Sequence, residues 1–194
     1  MVQATSKLFS KDAVESNKGN QRMIAMMMAD ATDATGYDVE EAAIREVIDA
    51  ITRAVRARDV EAMLAECTPD IVTFDMLPPL KHQGADALRR LWAATLESFT
   101  PPLDYDVHQL DITVDDNAAF ARSLNRFAGT TNYGERVINW LCVTLGFRKL
   151  DGRWKLAHQH VSVPFDLETG QALLELEPEG FLNNIAGERR YNPT

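Results

Sequence analysis

The amino-acid sequence predicts an α+β fold in which helices come first and a meander of antiparallel strands follows. Three features carry that expectation. Apolar residues recur at helical spacing between residues 44 and 64, and again between 88 and 99. From residue 103 onward the pattern changes to long β-rich segments separated by turn signals, of which Asp151-Gly152 is the strongest. Helices segregated from consecutive hairpins gather on one face of the sheet, and a strongly curved sheet closed by helices encloses a pocket.

In chain order, residues 1–36 are polar and weakly periodic and read as a flexible N-terminal arm, with one helical turn near residues 23–28. Met23 and Met26 also offer internal translation starts, which would make the preceding residues an extension. The domain itself is expected over 37–176. Asp38 and Glu41 match a capping box, and Ile44, Val47, Ile48, Ile51 and Val55 form the apolar stripe of a first helix. Asp59 is placed to cap a short second helix holding Met63 and Leu64, which ends before Pro69. Residues 70–76 read as a strand broken by Pro78-Pro79. A third helix opens at Gly84 with Leu88, Leu91, Trp92, Leu96 and Phe99 on one face, and Thr100-Pro101-Pro102 stops it. Strands are expected over 103–113 and 118–128, then over 136–149 and 153–164, with Pro164 ending the sheet. Residues 166–176 fit a short helix, and 177–194 a polar tail punctuated by Gly and Pro.

Composition narrows the function. The formal net charge is -9 and no run of Lys or Arg occurs. A sequence-independent nucleic-acid binder or a protein of anionic membrane surfaces needs clustered cations, so neither partner is expected. Cys67 and Cys142 sit in apolar periodic segments without metal or redox spacing, and read as small buried hydrophobes of a reducing, cytoplasmic compartment. The chain holds no G-x-S-x-G elbow, no phosphate-cradling glycine loop, no H-E-x-x-H and no dinucleotide fingerprint. Serine hydrolysis, nucleotide chemistry and hydride transfer lose support, and no cofactor is expected.

Three stretches carry a resemblance. The first is Glu66-Cys67-Thr68-Pro69-Asp70 followed by Ile71-Val72-Thr73-Phe74-Asp75. The second is Gly84-Ala85-Asp86-Ala87-Leu88. The third runs from Phe147-Arg148-Lys149 through Asp151-Gly152-Arg153-Trp154-Lys155-Leu156 to His158-Gln159-His160-Val161-Ser162-Val163-Pro164-Phe165. Together they resemble the SnoaL-like, ketosteroid-isomerase-like branch of the nuclear transport factor 2-like superfamily, over about residues 39–176. The resemblance implies a cone-shaped barrel, three N-terminal helices packed on a strongly curved, mainly antiparallel sheet, and a homodimer formed through the outer sheet face. It does not imply one reaction, because isomerases, cyclases, dehydratases and non-catalytic modules share this scaffold.

Within the resemblance, Asp75 matches the general-base aspartate of the ketosteroid isomerases. Strand alternation supports an inward side chain, since Ile71, Thr73 and Asp75 share one face. A carboxylate in an apolar pocket has its pKa raised and accepts a proton near neutral pH. Those isomerases add a tyrosine and a protonated acid. Here Ile51 and Leu145 stand near those positions, which argues against a steroid isomerase. The bland alternative for Asp75 is a strand-end carboxylate bound to a loop amide. His158 and His160 share a face with Trp154, Leu156 and Ser162 by simple alternation. Facing inward, either would exchange protons with Asp75; facing outward, both would lie at a dimer interface. A metal would need a third ligand, for which only His108 and Asp75 are available, so no metal site is expected. Asn125 is placed to orient a ligand carbonyl, and Trp140, Trp92 and Phe74 are candidate apolar walls, with core packing the plain alternative for the tryptophans. His82, after the prolines, reads as solvated. The expected function is proton transfer on a small, mostly apolar molecule, of isomerase, cyclase, dehydratase or hydratase type, with Asp75 as base and His158 or His160 as acid. The alternative is a non-catalytic ligand-binding or self-association module.

Overall fold

The computed structural model describes residues 36–178. The turn expected near residues 23–28, the internal starts and nearly all of the arm and tail lie outside the described residues. Contacts divide the chain into residues 1–42 and 43–194. The described part of the first unit is the opening of a helix, and the sheet and cavity belong to the second.

Helix α1 covers residues 36–57. It already includes Gly36, so Asp38 lies inside the helix and does not cap it. Ile44, Ile48 and Val55 are buried along its stripe. It stops where Arg58 turns left-handed, at φ 60°, with the Asp59 N–H donating to the Ala54 carbonyl at 2.9 Å. Asp59 then caps α2 (Val60–Ala65), accepting from the Ala62 N–H at 2.9 Å as its side chain predicts. Helix α3 (Ala85–Glu97) buries Leu88 and Leu96. Arg58 ties the two helix ends together, donating to the Leu96 carbonyl at 2.5 Å and the Phe99 carbonyl at 2.9 Å.

The strands are β1 (Cys67–Phe74), β2 (His82–Gln83), β3 (Phe99–Asp115), β4 (Ala118–Thr131), β5 (Arg136–Leu150) and β6 (Arg153–Ser162). They form one sheet in the order β2-β1-β6-β5-β4-β3. Every neighbouring pair is antiparallel except β1 and β6, which run parallel. The Asp151-Gly152 hairpin forms as expected, both residues at positive φ. This is the α+β cone fold: three helices against a curved, mainly antiparallel sheet. Among the described residues no helix is long and apolar enough to cross a membrane.

Curvature comes from interruptions in the ladders. The β3–β4 register shifts between Thr100 and Asp104 and again between His108 and Asp111. Opposite the first shift sits Gly129, and a Cβ there would stand 2.9 Å from both Leu103 Cδ1 and Phe99 Cδ1. Gly129→Ala is therefore expected to destabilise the fold by about 1–3 kcal/mol through overpacking, measured by denaturant unfolding. Unchanged stability would show that these two side chains have room to yield.

Beyond β6 the helix expected over 166–176 does not form. Asp166 accepts from the Glu168 and Thr169 N–H groups, each at 2.8 Å, and Gly170 takes φ 70°. These bonds satisfy the backbone as a tight turn, leaving the segment as a bridge between Phe165 and Ala172.

Candidate functional site

The inward faces of the helices and sheet bound two adjoining spaces. A deep, narrow chamber of about 30 Å³ lies against α1 and the middle of the sheet, where Ile51 and Leu145 are among its walls. A wider chamber of about 320 Å³ opens beyond it, bounded by Asp75, Met76, Phe99, Phe127 and Leu174 among others. That volume lies at the small end of ligand pockets. Trp92, Tyr105 and Gln159 line both chambers, which places them where the two meet. Among the described residues, Asp75 is the one charged side chain in either lining.

Asp75 follows directly on β1, where strand alternation directs it inward with Ile71 and Thr73, both 1% exposed. Burial raises its pKa above the ordinary aspartate value; the N–H of Leu77, the charge of His82 and the N–H of Met76 work against the rise. The Leu77 N–H donates to Asp75 Oδ1 at 2.9 Å. Both expectations for this residue are thus present together: a cavity-lining carboxylate and a carboxylate holding a loop amide.

His82 departs from its expectation. It pairs with Thr73 in the β1–β2 ladder and is only 9% exposed, its Nε2 3.5 Å from the Leu77 carbonyl oxygen. The turn after Pro79 folds it back under the strand, which brings a histidine within electrostatic reach of Asp75. The sequence pattern assigned that place to His158 or His160.

Those two histidines face the other way. Along β6 the buried positions are Trp154 and Leu156, then Gln159 and Val161. The parity changes because Leu156 pairs with Phe147 while His158 pairs with Gly146, leaving Ala157 as an extra residue. A one-residue bulge moves everything after it to the opposite face. Gly146 makes the close approach possible: a Cβ there would stand 3.2 Å from His158 Cβ. His158 and His160 therefore do not converge on Asp75. They flank Phe74 on the outer face, with ring centroids 5.0 and 6.0 Å away, and His158 Nδ1 lies 2.9 Å from the Val72 carbonyl oxygen. Phe74 itself is 41% exposed and lines neither chamber, because it alternates with Asp75.

Trp140 is also outside the cavity. On β5 the inward side chains are Asn139, Leu141, Val143 and Leu145, so Trp140 points outward and its ring lies 4.9 Å from that of His108. His108 and Asp75 are accordingly on opposite faces, and among the described residues no group of three metal-ligating side chains forms. Trp92 does line the cavity. Cys142 is exposed, contrary to the expected burial, because it shares the outward parity of Trp140.

Asn125 faces inward as expected but is already engaged. Ser123 Oγ donates to Asn125 Oδ1 at 2.7 Å, and Asn125 Nδ2 donates to the Tyr105 hydroxyl oxygen at 2.6 Å. All three side chains are buried. With its oxygen accepting from Asn125, Tyr105 keeps its own O–H to donate. Its main chain is fixed from outside, since Arg56 Nε donates to the Tyr105 carbonyl at 2.8 Å and its guanidinium pairs with Asp106 at 2.7 Å. Burial and, more weakly, the charge of Asp75 hold the Tyr105 hydroxyl in its protonated form; the Asn125 bond opposes them. Tyr105 was missed in the sequence although Leu103, Tyr105 and Val107 alternate with Asp104 and Asp106 and so mark an inward face, because alternation alone does not separate a functional residue from a core one. The signal present was Ser123 and Asn125 at alternate positions of an apolar strand, which demands a polar partner opposite.

Cys67, also in the deep chamber, has its thiol pushed up to about 12, by burial first and the neighbouring Glu66 carboxylate second. A thiol that stays protonated is a poor nucleophile. In the folded protein a disulfide-exchange reagent is expected to modify Cys142 and spare Cys67, and after denaturation to modify both, counted by mass. Rapid modification of Cys67 in the native chain would contradict this burial.

All the residues that line the two chambers except Leu174 fall in one matched segment. A SnoaL-like domain is matched over residues 44–166. The chain belongs to the SnoaL-like family. A nuclear transport factor 2-like protein of unknown function from Pseudomonas putida is 32% identical to this SnoaL-like chain, covering 73% of it and 98% of its own length, with a TM-score of 0.66. A ketosteroid isomerase-like protein from Erwinia carotovora atroseptica matches at 23% identity over 62% of this chain and 93% of that one, with a TM-score of 0.55. A protein of unknown function with a cystatin-like fold from Nostoc punctiforme matches at 20% identity, over 65% and 92%, with a TM-score of 0.56. These last two likenesses show the fold alone. No curated protein matches the sequence significantly.

Proposed function

We propose that this SnoaL-like domain is a proton-transfer enzyme acting on a small, mostly apolar, uncharged organic molecule held in the wide chamber. The observation that carries this reading is Asp75, a carboxyl raised by burial, lining the same chamber as a buried Tyr105 that retains a hydrogen to donate. Isomerisation, cyclisation, dehydration and hydration all require a base at a carbon or oxygen and a donor that holds the developing negative charge on an oxygen. Asp75 takes the proton and Tyr105 supplies the donor. Asn125 and Ser123 act through Tyr105 by fixing its orientation. A chamber without cationic side chains disfavours carboxylate or phosphate ligands.

The test works with any enolisable ketone and does not require the natural substrate. Uncharged cyclic ketones are incubated with the protein in D2O and exchange of the protons next to the carbonyl is followed by NMR. Exchange above the buffer rate that disappears in Asp75→Asn supports the proposal. Exchange equal in both proteins, or none with any ketone, counts against it.

The Leu77 N–H held by Asp75 favours a second reading, a non-catalytic carrier of the same ligand class, in which the carboxylate shapes the loop at the chamber mouth. Tight binding without exchange would select it. The outer sheet face, with Phe120 47% and Ile138 43% exposed, is in either case the surface on which we expect a second copy to pack. Sedimentation equilibrium reads that directly, and a monomer at all concentrations would oppose it.

A further inference from the structure

Gln159 is the most unusual polar group in the cavity. It is 9% exposed, lies between Thr73 of β1 and Leu145 of β5, and lines both chambers. Among the described residues its amide makes no hydrogen bond, and it is not one of the fully enclosed polar groups left without a partner, so the amide opens onto the cavity. Buried amides are nearly always paired, and one left without a partner carries a desolvation cost that a packed core residue would not incur. Of the other polar side chains in the two linings, Ser123, Asn125 and the Tyr105 oxygen bond one another. Two capacities therefore face the junction of the chambers without a protein partner. One is the Tyr105 hydrogen, a donor. The other is the Gln159 amide, which offers a donor and an acceptor side by side.

We propose that Gln159 determines ligand specificity by reading an acceptor and a donor on adjacent atoms of an uncharged ring compound, as in a lactam or a hydroxy-ketone. This rests on the cavity being the ligand site. The ligand's acceptor oxygen takes the Tyr105 hydroxyl and the Gln159 Nε2–H. Its neighbouring N–H or O–H donates to Gln159 Oε1. A plain hydrocarbon satisfies neither group, a simple ketone satisfies only the donors, and a carboxylate meets Asp75 with no cation in either lining. Trp92, which also lines both chambers, supplies the apolar surface against which a flat ring rests.

The test uses the full chain and four bicyclic probes of similar size: 2-quinolinone, with acceptor beside donor, 1-tetralone, with acceptor only, naphthalene, with neither, and 1-naphthoate, which is charged. Dissociation constants are measured by calorimetry for the wild type, Gln159→Leu and Asp75→Asn. The wild type is expected to bind 2-quinolinone at least about tenfold more tightly than naphthalene, with 1-tetralone between them and 1-naphthoate weakest. Gln159→Leu is expected to lose the preference for 2-quinolinone over 1-tetralone, since Tyr105 still serves either carbonyl, while binding naphthalene as well as before, which also shows that the variant is folded around an open cavity. A preference that survives in Gln159→Leu, or is absent from the wild type, overturns the proposal. If no probe binds, the cavity reading falls and this inference falls with it. If Asp75→Asn abolishes ketone exchange without altering the 2-quinolinone preference, recognition and chemistry are separate. If ketone exchange is never observed but the Gln159-dependent preference is, specificity by Gln159 stands on a carrier.

Discussion

Replacing Asp75 with asparagine is expected to lower turnover by about 10²–10⁴-fold while making the protein slightly more stable at neutral pH. The two effects share one cause. Burial raises the Asp75 pKa above its ordinary 3.8, so the folded chain binds this proton more tightly than the unfolded chain does. The stability due to this site is therefore fully present at pH below 3.8 and is lost as pH rises through the raised value. Asparagine has no such loss and still offers an oxygen to the Leu77 N–H. The variant's advantage should open as pH climbs past the ordinary aspartate value and then stay level, at below about 1 kcal/mol because the carboxyl is partly exposed and water screens it. Denaturant unfolding of both proteins across that range reads it. A variant less stable than wild type at pH 7 would mean that the carboxylate is held for its charge, and would move Asp75 to the structural role.

Tyr105→Phe is the second large effect, and it separates chemistry from packing. Removing the phenolic oxygen leaves Asn125 Nδ2 without its acceptor at a position 3% exposed. That costs about 1–3 kcal/mol of stability. Loss of the donor at the developing oxyanion lowers turnover by about 10²–10³-fold. The triple variant Tyr105→Phe with Asn125→Leu and Ser123→Ala takes away every partner in the network, so part of the stability should return while turnover stays low. If turnover recovers with stability, Tyr105 only holds the fold. If the single variant keeps full turnover, the donor is elsewhere.

The apolar stripes of α1 and α3, the Asp59 cap and the Asp151-Gly152 hairpin were all legible, because each depends on residues a few positions apart. Asp75 was legible for the same reason: alternation from Ile71 through Thr73 has nothing to interrupt it before the strand ends. The histidines were not. Counting alternate residues from Leu156 puts His158 and His160 on the cavity side, and Ala157 defeats the count. A bulge arises from how two strands fit, here where Gly146 lets β6 approach, and β6 alone does not record it. The same event turned Gln159 inward.

The sequence by itself determined the α+β class, the order of elements apart from β2 and the helix that does not form after β6, the SnoaL-like resemblance and the inward carboxylate. All of these follow from local periodicity, capping and turn chemistry. The tertiary structure decided the rest of the site. It brought His82 beside Asp75, drew Tyr105 onto Asn125 across twenty residues, sent Phe74, Trp140, His158 and His160 to the outer face, and left Gln159 buried at the junction of the chambers. Apart from that of Phe74, which follows from its alternation with Asp75, those placements depend on strand pairing, register and bulges between separate segments of the chain. The energies that set them are side-chain fits across the sheet, which no single segment contains.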